Sequence, residues 1–359
     1  MKRLIPFAVL ALLSILLPTV SANPVVYKAQ GDDKKAKHLV FLASDHEYRS
    51  EETLPALARI LAKHHGFDCT VLFGVDPETG TIVAGQSNVP GMEALESADG
   101  LVIFARFLAL PDEQMKYLDA YLNRGGPVVA LRTSTHSFRY PEDSTSIFLK
   151  YHYTYDGEEY LKGFGHQVQG QTWVGHYGRN HQQSTRITIV PEKKDHPILK
   201  GVESIWVQAG AYTAEPADDW EILTMAQPLM SMEQDGEPDA TMPPMVGEWT
   251  RTYEGANGQM GRCFTSLYGA SEDFLNDGYR RMLVNAVYWS LGLDHEIEAD
   301  SCINFVGPYQ PNTFNNQGFA AGIKPSAYDG FKSPIPAHNN IPPRQPKKAK
   351  KTPSEAKKK

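Results

Sequence analysis

Several short stretches of the sequence gather polar side chains that could do chemistry. The candidates for proton transfer are His136, His176 and Glu47. The candidates for binding a polar ligand are His46, Tyr48, Arg49, Arg106, Arg132, Thr133, Trp173 and Tyr177. Histidines and carboxylates transfer protons near neutral pH, guanidinium groups bind negative charge, and aromatic rings stack on ligands. Together these residue types predict acid/base chemistry on a small polar molecule, or binding of one.

Arg106 and Arg132 each follow an apolar run and allow two interpretations. A guanidinium offers a fork of donors to a carboxylate, a phosphate or vicinal hydroxyls. It could equally form an ion pair with Asp45 or Glu47. The sequence leaves both roles open.

The aromatic candidates also allow two interpretations, because large rings pack in protein cores more often than they bind ligands. Trp173 and Tyr177 lie among Gly and polar residues, which favours ligand contact. Phe107 and Phe138 fit core packing as well as ligand stacking.

The pair Ser134 and His136 suggests a nucleophile with its base. A nucleophile elbow needs small residues on both sides of the serine, as in G-x-S-x-G. Thr133 and Thr135 stand there instead, and triad partners meet in space and not by adjacency. The sequence therefore disfavours a serine hydrolase, and the hydroxyl residues fit caps for the following segment.

A metal site would need three or four converging ligands, and neutral imidazoles with a carboxylate suit Zn or Mn. The chain offers Asp45, His46, Glu47, His136, His176 and His181. These are scattered, and no H-E-x-x-H or comparable spacing connects them. The sequence thus assigns no metal ligands and leaves the cofactor unknown, with a divalent Zn or Mn ion as an open alternative.

Apolar runs and helical periods alternate in the first half of the chain. Runs without polar alternation at 37–44, 67–74, 100–105 and 127–131 predict strands that are buried on both faces. The apolar spacing after residues 50 and 111 predicts helices between them. This order predicts an α/β fold with a doubly wound, mostly parallel sheet.

In such sheets, ligands bind beyond the carboxyl ends of the strands. The polar stretches 46–49, 106 and 132–136 follow three predicted strands directly. We therefore expect all three stretches on one rim of the sheet.

The second half is less regular and rich in β-structure. Strands are predicted at 185–190, 221–226, 244–253 and 261–269, before a closing helix at 278–292. One α/β domain over 37–295 follows, with an irregular extension at 296–331.

At this point the sequence resembles the ThuA-like, or trehalose-utilisation, proteins, which are relatives of the class I glutamine amidotransferase fold. The resemblance is carried by the 46–49 loop, LNRGGPVVALRTSTHSF, GHYGRNH, DHPILKGV, GEWTRTYEGANGQMGRCFTSLYG and MLVNAVYWSLG. It covers about residues 37–292 and implies a glutamine amidotransferase-like, or flavodoxin-like, fold and a role in handling disaccharides or keto-sugars. His176 and His196 stand where the family pattern has histidines.

The chain also departs from that pattern. Amidotransferases present a cysteine nucleophile in the turn after this strand, and many ThuA-like proteins have Gly-Leu-His there. Here the triplet is Ala130-Leu131-Arg132, and Ala270 follows Gly269 where the family often has a histidine. Glutaminase activity is therefore excluded.

Both ends of the chain differ from the body. Lys2 and Arg3 precede an apolar run that ends in Val20-Ser21-Ala22, which predicts a signal peptide over 1–22 and export to the periplasm or the exterior. The run is too short for a membrane span. Residues 332–359 carry nine Lys or Arg against one Glu, with many Pro, and predict a disordered tail.

The net charge of −7 includes that basic tail, so the body is more acidic still. An acidic body argues against nucleic acid as a partner. A small carbohydrate is the expected partner, and a homo-oligomer is left open. Cys69, Cys263 and Cys302 form no disulfide framework, and reduced thiols are favoured over a bond.

Two functions fit these observations. The first is an exported carbohydrate-processing enzyme in which His136, His176 or Glu47 transfers protons while Arg106 and Arg132 orient the sugar. The second is a non-catalytic module that binds carbohydrate or a partner on the same fold. Fold alone does not choose between them.

Overall fold

The computed structural model describes residues 23–31 and 37–337. Twelve strands are described, namely β1 (Val25–Tyr27), β2 (His38–Ser44), β3 (Asp68–Phe73), β4 (Gly100–Ala105), β5 (Val128–Leu131), β6 (Thr185–Ile189), β7 (Ile205–Val207), β8 (Glu221–Ile222), β9 (Thr224–Pro228), β10 (Met245–Val246), β11 (Glu248–Glu254) and β12 (Met260–Ser266). The α-helices of this part are α1 (Ser50–His64), α2 (Asp112–Asn123) and α3 (Asp277–Ser290). The predicted signal peptide, 1–22, lies outside the described residues.

The large sheet has eight strands in the order β1-β3-β2-β4-β5-β12-β11-β8. The five central strands, β3 to β12 in that order, are parallel. Antiparallel strands close both edges, with β1 on one side and β11 and β8 on the other. The predicted doubly wound, mostly parallel α/β fold is confirmed.

The continuous apolar runs of the parallel strands have a direct structural cause. Along β2, Leu39 and Phe41 pack in the core that contains α1 and α3, whereas Val40 and Leu42 pack in the core that contains α2. Successive side chains of a strand point to opposite faces, so a sheet covered by helices on both sides needs apolar residues at every position.

The winding direction reverses between β2 and β4, because β3 lies on one side of β2 and β4 on the other. Such a reversal opens a crevice at the carboxyl ends of the strands. The loops after β2, β4 and β5 meet there: the Arg106 amide donates to the Ser44 carbonyl, and the Phe107 amide donates to the His136 carbonyl, each at 3.0 Å. The three polar stretches therefore share one rim of the sheet.

The second sheet has four antiparallel strands in the order β10-β9-β6-β7. Two runs predicted as single strands, 221–226 and 244–253, are each divided between the two sheets. The chain crosses at Leu223 and at Gly247. A Cβ at Gly247 would lie 2.8 Å from the Thr224 Oγ1, so the second crossing needs a residue without a side chain.

Residues 296–337 wrap back over α1. Ile335 is buried and pairs with Tyr309, and the Arg59 Nη1 donates to the Ser333 carbonyl at 2.7 Å. Residues 332–337, which the sequence assigned to the tail, thus pack on the folded body. The rest of that segment, 338–359, lies outside the described residues.

The cysteines are free: Cys69 and Cys263 are buried and Cys302 is exposed. None of the helices formed by residues 23–31 and 37–337 is long and apolar enough to cross a membrane.

Candidate functional site

The loop after β2 is fixed by one buried carboxylate, Asp45. Its Oδ1 accepts the Glu47 amide at 2.8 Å and also the Tyr48 amide. Its Oδ2 accepts the Thr133 hydroxyl at 2.8 Å. Asp45 therefore joins the loop after β2 to the turn after β5, and Thr133, predicted to bind substrate, is used in that join and is fully buried.

An ion pair between Arg106 and Glu47 stands at the junction of the first two loops. The Arg106 Nη1 lies 2.5 Å from the Glu47 Oε2, and the two side chains are 15% and 16% exposed. Burial would raise the pKa of Glu47, but the guanidinium lowers it below its ordinary value. Glu47 is thus an ionised partner that orients Arg106, and it does not carry the proton of a general acid.

His136, in the turn after β5, is 1% exposed. Its Nδ1 is 3.1 Å from the Thr135 Oγ1, and that hydroxyl is 3.5 Å from the Arg132 carbonyl oxygen. Either atom of the Nδ1–Oγ1 pair can donate, so the Nε2 is an acceptor when Nδ1 carries the proton and a donor when it does not. This Nε2 is buried and has no hydrogen-bond partner among the residues that the structure describes.

The environment of His136 favours the neutral imidazole. Burial, followed by the positive charge of Arg106, holds the pKa of His136 well below its usual value. A buried polar atom without a partner costs free energy, which a ligand hydroxyl or a water would recover. With the proton on Nδ1, the Nε2 is an acceptor, or a weak base, that a ligand hydroxyl can satisfy.

Four aromatic rings surround the imidazole of His136. The ring centroids lie 5.0 Å away for Phe107, 5.4 Å for Trp173, 6.1 Å for Tyr212 and 6.4 Å for Tyr153. Rings of this kind bind the apolar face of a sugar while polar groups beside them bind its hydroxyls. We call these four rings, with His136, the aromatic cluster.

Two further histidines flank the aromatic cluster. His176 is exposed, with its ring 5.3 Å from Tyr212 and 5.9 Å from Trp173. His46 is half-buried and lies 6.0 Å from Phe107, and burial lowers its pKa. The structure thus brings His46, His136 and His176 around one group of rings.

Arg132 does not present its guanidinium to a ligand, in contrast to the sequence-based expectation. It is 0% exposed, and its Nη1 donates to the carbonyls of Gly210 at 3.0 Å and Leu267 at 2.9 Å. The guanidinium carbon lies between two rings, 3.8 Å from the Tyr48 centroid and 4.4 Å from that of Tyr212. Arg132 therefore connects the turn after β5 with the segments that contain Gly210 and Leu267.

Three other predicted binding residues are also structural. Tyr48 is 0% exposed and accepts the Asn180 amide at its hydroxyl, 2.7 Å away. Arg49 is 1% exposed and donates to the Thr313 carbonyl. Tyr177 is half-buried and donates its hydroxyl to the Pro243 carbonyl at 2.6 Å. The hydroxyls of Tyr48 and Tyr177 are thus bonded within the protein, and the Arg49 guanidinium is buried, with its Nη1 unpartnered among the residues that the structure describes.

Two residues that the resemblance or the local pattern pointed to lie elsewhere or have other uses. His196 caps a short turn, where its Nδ1 accepts the Ile198 amide at 3.2 Å. Ser134 donates its hydroxyl to the Ile103 carbonyl at 2.8 Å and is fully buried, so it cannot serve as a nucleophile.

Sequence reasoning missed Tyr153 and Tyr212 and left Phe107 undecided. Phe107 has φ +56°, an unusual value for a bulky residue and one that often marks a functional turn. Tyr212 lies five residues after β7, behind Gly210 and Ala211. The sequence analysis predicted no strand there, so neither Tyr212 nor Tyr153 had a local signal.

Metal ligands do not converge in the part of the chain that the structure covers. Residues 23–31 and 37–337 contain no group of three or more His, Cys, Asp or Glu side chains placed to hold a metal ion. The histidines of the site are separated by aromatic rings instead.

No protein-family model matches the chain, and no curated protein matches it in sequence. Among solved structures, a ThuA-like protein from Parabacteroides merdae ATCC 43184 is 15% identical, with a TM-score of 0.43 over 82% of this chain and 99% of that one. A ThuA-like protein from Bacteroides uniformis ATCC 8492 is 14% identical, with a TM-score of 0.43 over 74% of this chain and 95% of that one.

An exo-beta-1,4-mannosidase from Opitutaceae bacterium strain TAV5 is also similar, at 12% identity and a TM-score of 0.32, over 72% of this chain and 36% of that one.

Proposed function

We propose that this chain is an exported protein that processes a carbohydrate, a disaccharide or a keto-sugar derivative, by acid/base chemistry at the aromatic cluster. The observation that carries the proposal is the neutral His136, whose unpartnered Nε2 lies among four rings. Apolar rings and a single acceptor beneath them suit a sugar, which has an apolar face and hydroxyl donors.

The reaction follows from the neighbours of that nitrogen. His136 accepts a proton from the carbon next to the keto group, and the electron pair moves to the carbonyl oxygen. Arg106, held by Glu47 at 2.5 Å, stabilises the negative charge on that oxygen. In an isomerisation, the enolate oxygen gains a proton, the hydroxyl on the adjacent carbon loses one, and the former carbonyl carbon receives the proton that His136 took. In an elimination, the bond from the next carbon to its oxygen breaks, and the leaving oxygen takes a proton from a general acid. His176, on the exposed side, supplies the second proton-transfer group.

Access to the Nε2 requires one covering ring to move, because the atom is buried. Trp173 is half-buried and lies in the stretch 171–175, which has neither helix nor strand. We expect Trp173 to move when the ligand enters, and its fluorescence to report the event.

The test is a screen of keto-sugars and disaccharides with wild-type protein, His136→Ala and His176→Ala, together with a metal-content analysis. His295→Ala is the control, because that side chain is 77% exposed and lies on another surface. We expect turnover to fall at least a hundredfold in His136→Ala, the lower range for general acid/base groups. Equal turnover in the wild type and the three variants would contradict the proposal.

The non-catalytic module is favoured by a different result. Titration of the Trp173 fluorescence by a sugar, with no turnover in the wild type, would identify a binding protein on the same site.

Export has its own test, because it depends on residues 1–22 alone. The mature protein should begin after Ala22 and appear outside the cytoplasm, whereas an uncleaved product in the cytoplasm would contradict it.

A further inference from the structure

Residues 309–323 form a segment, here called the strap, that crosses the loop after β2. The Asn315 amide donates to the Glu47 carbonyl at 2.9 Å, and the Gln317 amide donates to the His46 carbonyl at 2.6 Å. Phe314 is fully buried, with its ring 5.2 Å from Tyr48. The strap therefore holds the backbone of the two residues that stand at the edge of the candidate site.

The strap is itself attached to the first turn of α1. The Asn312 amide and side chain donate to the two carboxylate oxygens of Glu52, at 2.9 Å and 3.0 Å. The Ile323 carbonyl accepts the Ile82 amide at 2.7 Å. The contact with Glu52 makes a buried carboxyl part of the attachment.

Glu51, the neighbour of Glu52, has no such partner. It is 6% exposed, and its Oε1 has no hydrogen-bond partner within residues 23–31 and 37–337. Both carboxyls line a narrow cavity between α1 and the C-terminal segment, whose other walls are Ile82, Phe319, Ala320, Ile323, Tyr328 and Pro336. A carboxylate left unpaired against apolar walls is costly, so this setting favours the protonated form.

The positive charge near Glu51 and Glu52 does not offset the cost of burying the two groups as carboxylates. Arg49 is the cation that acts on both, and its Nε and Nη2 donate to the Thr313 carbonyl instead. Asp45 on the same loop and Glu272 before α3 add negative charge. The facing phenols, Tyr309 and Tyr328, are buried and neutral, since burial raises the pKa of each.

Burial accordingly raises the pKa of Glu51 to about 8, above its ordinary 4.5, so the closed strap retains a proton that an open strap would release. Burial also raises the pKa of Glu52, to about 7, but the two bonds from Asn312 act in the opposite direction, because they stabilise its carboxylate. By linkage, the contribution of Glu51 to the stability of the closed form is full below about pH 4.5 and is lost as the pH rises through about 8.

We propose that Glu51 is a proton-dependent latch, which holds the strap over His46 and Glu47 when its carboxyl is protonated and loosens the strap when it ionises. On opening, the proton passes to solvent and the carboxylate becomes hydrated. The latch goes beyond the proposed function, since it acts whether or not the site turns over a sugar. Its consequence for the site is that the edge formed by His46 and Glu47 loses its support at alkaline pH.

The experiment is hydrogen exchange of the Asn315 and Gln317 amides in the full chain at pH 5, 6, 7 and 8, corrected for the intrinsic pH dependence of amide exchange. Ionisation of Glu51 should increase strap opening about tenfold per pH unit between its open and closed pKa values. Glu51→Gln should remove that dependence, because the amide cannot ionise.

Glu248→Gln is the matched control. Glu248 is fully buried in β11, and burial raises its pKa to about 7, but it bonds to Ser266 and does not touch the strap. This variant should keep the wild-type pH dependence of the strap amides. Glu51→Met, also neutral, replaces Glu51→Gln if that protein does not fold. A strap without pH dependence in the wild type, an unchanged dependence in the Glu51 variant, or the same loss in Glu248→Gln would each overturn the latch.

Discussion

The guanidinium carbon of Arg132 lies 3.8 Å above the ring of Tyr48, so a strand-end arginine is stacked behind the site and not displayed in it. The contact is made possible by φ +42° at Arg132, which turns the chain sharply as it leaves β5. In this position the side chain reaches the carbonyls of Gly210 and Leu267. The arginine thus joins the large sheet to the loops that carry Tyr212 and the end of β12.

Arg132→Lys should destabilise the protein by about 3 kcal/mol, because lysine keeps the charge but cannot make the same fork of buried hydrogen bonds. Chemical denaturation measures the change. Arg186→Lys is the control, since the Arg186 Nη2 also donates to two carbonyls, those of Gln234 and Gly236, but from the half-exposed face of β6. It should change stability by no more than about 0.5 kcal/mol. Equal losses in the two variants would refute the special role of Arg132.

Glu47→Gln should lower the pKa of His46 further, because the Glu47 carboxylate now raises that pKa while burial and Arg106 lower it. The titration of the His46 ring in NMR spectra is the measurement. Glu93→Gln, which changes an exposed glutamate of the 3₁₀ helix Met92–Glu96, should leave the titration unchanged. A rise in the pKa of His46, or no change, would show that the carboxylate does not act on this histidine.

His136 should make the folded protein less stable in mild acid. Its pKa is held well below the ordinary 6.5, so below pH 6.5 the unfolded chain binds a proton that the folded protein does not. Stability should therefore be full above about pH 6.5 and fall with decreasing pH by up to about 1.4 kcal/mol per unit for this group. Urea unfolding at pH 7 and pH 5 measures the slope.

The matching variant for this prediction is His136→Phe, which keeps an aromatic ring in the cluster and removes the titration. Its stability should decline less between pH 7 and pH 5 than that of the wild type. Identical declines would assign the acid sensitivity to other groups.

Gly85→Ala should displace His46. Gly85 has φ +70°, and a Cβ there would lie 2.8 Å from the His46 Cβ. Gly292→Ala is the control, because its φ of +73° imposes a similar backbone cost while nothing lies within 4 Å of the added Cβ. Both variants should lose about 1 kcal/mol from the backbone. Only Gly85→Ala should also shift the His46 resonances and weaken sugar binding, and equal effects of the two variants would contradict the contact.

The secondary structure of the first half could be predicted closely from the sequence. The run 100–105 is β4 to the residue, and the helix after residue 50 ends at His64, just before Gly66. Such runs are buried on both faces and bounded by turn residues, so their signal is local. The two crossings between the sheets, at Leu223 and Gly247, had no such signal, because a strand that changes sheets keeps the same apolar pattern.

The candidate site could be predicted only in part. The rim was predictable, since the polar stretches follow parallel strands, and His46, Glu47, Arg106, His136, Trp173 and His176 do converge there. Their roles were not predictable. The sequence around a strand-end arginine does not show whether its guanidinium faces solvent and contacts a ligand or is buried. Arg132 is buried between two rings.

By itself, therefore, the sequence determined the order of strands and helices, the doubly wound sheet and the edge at which polar loops gather. Tertiary structure alone decided that Tyr153 and Tyr212 enclose His136, that Arg132 is buried, and that the strap covers the loop after β2. The physical reason is the separation along the chain over which each kind of interaction acts. Backbone periodicity and turn chemistry act between near neighbours in the chain, whereas side-chain contacts and burial depend on how distant segments pack.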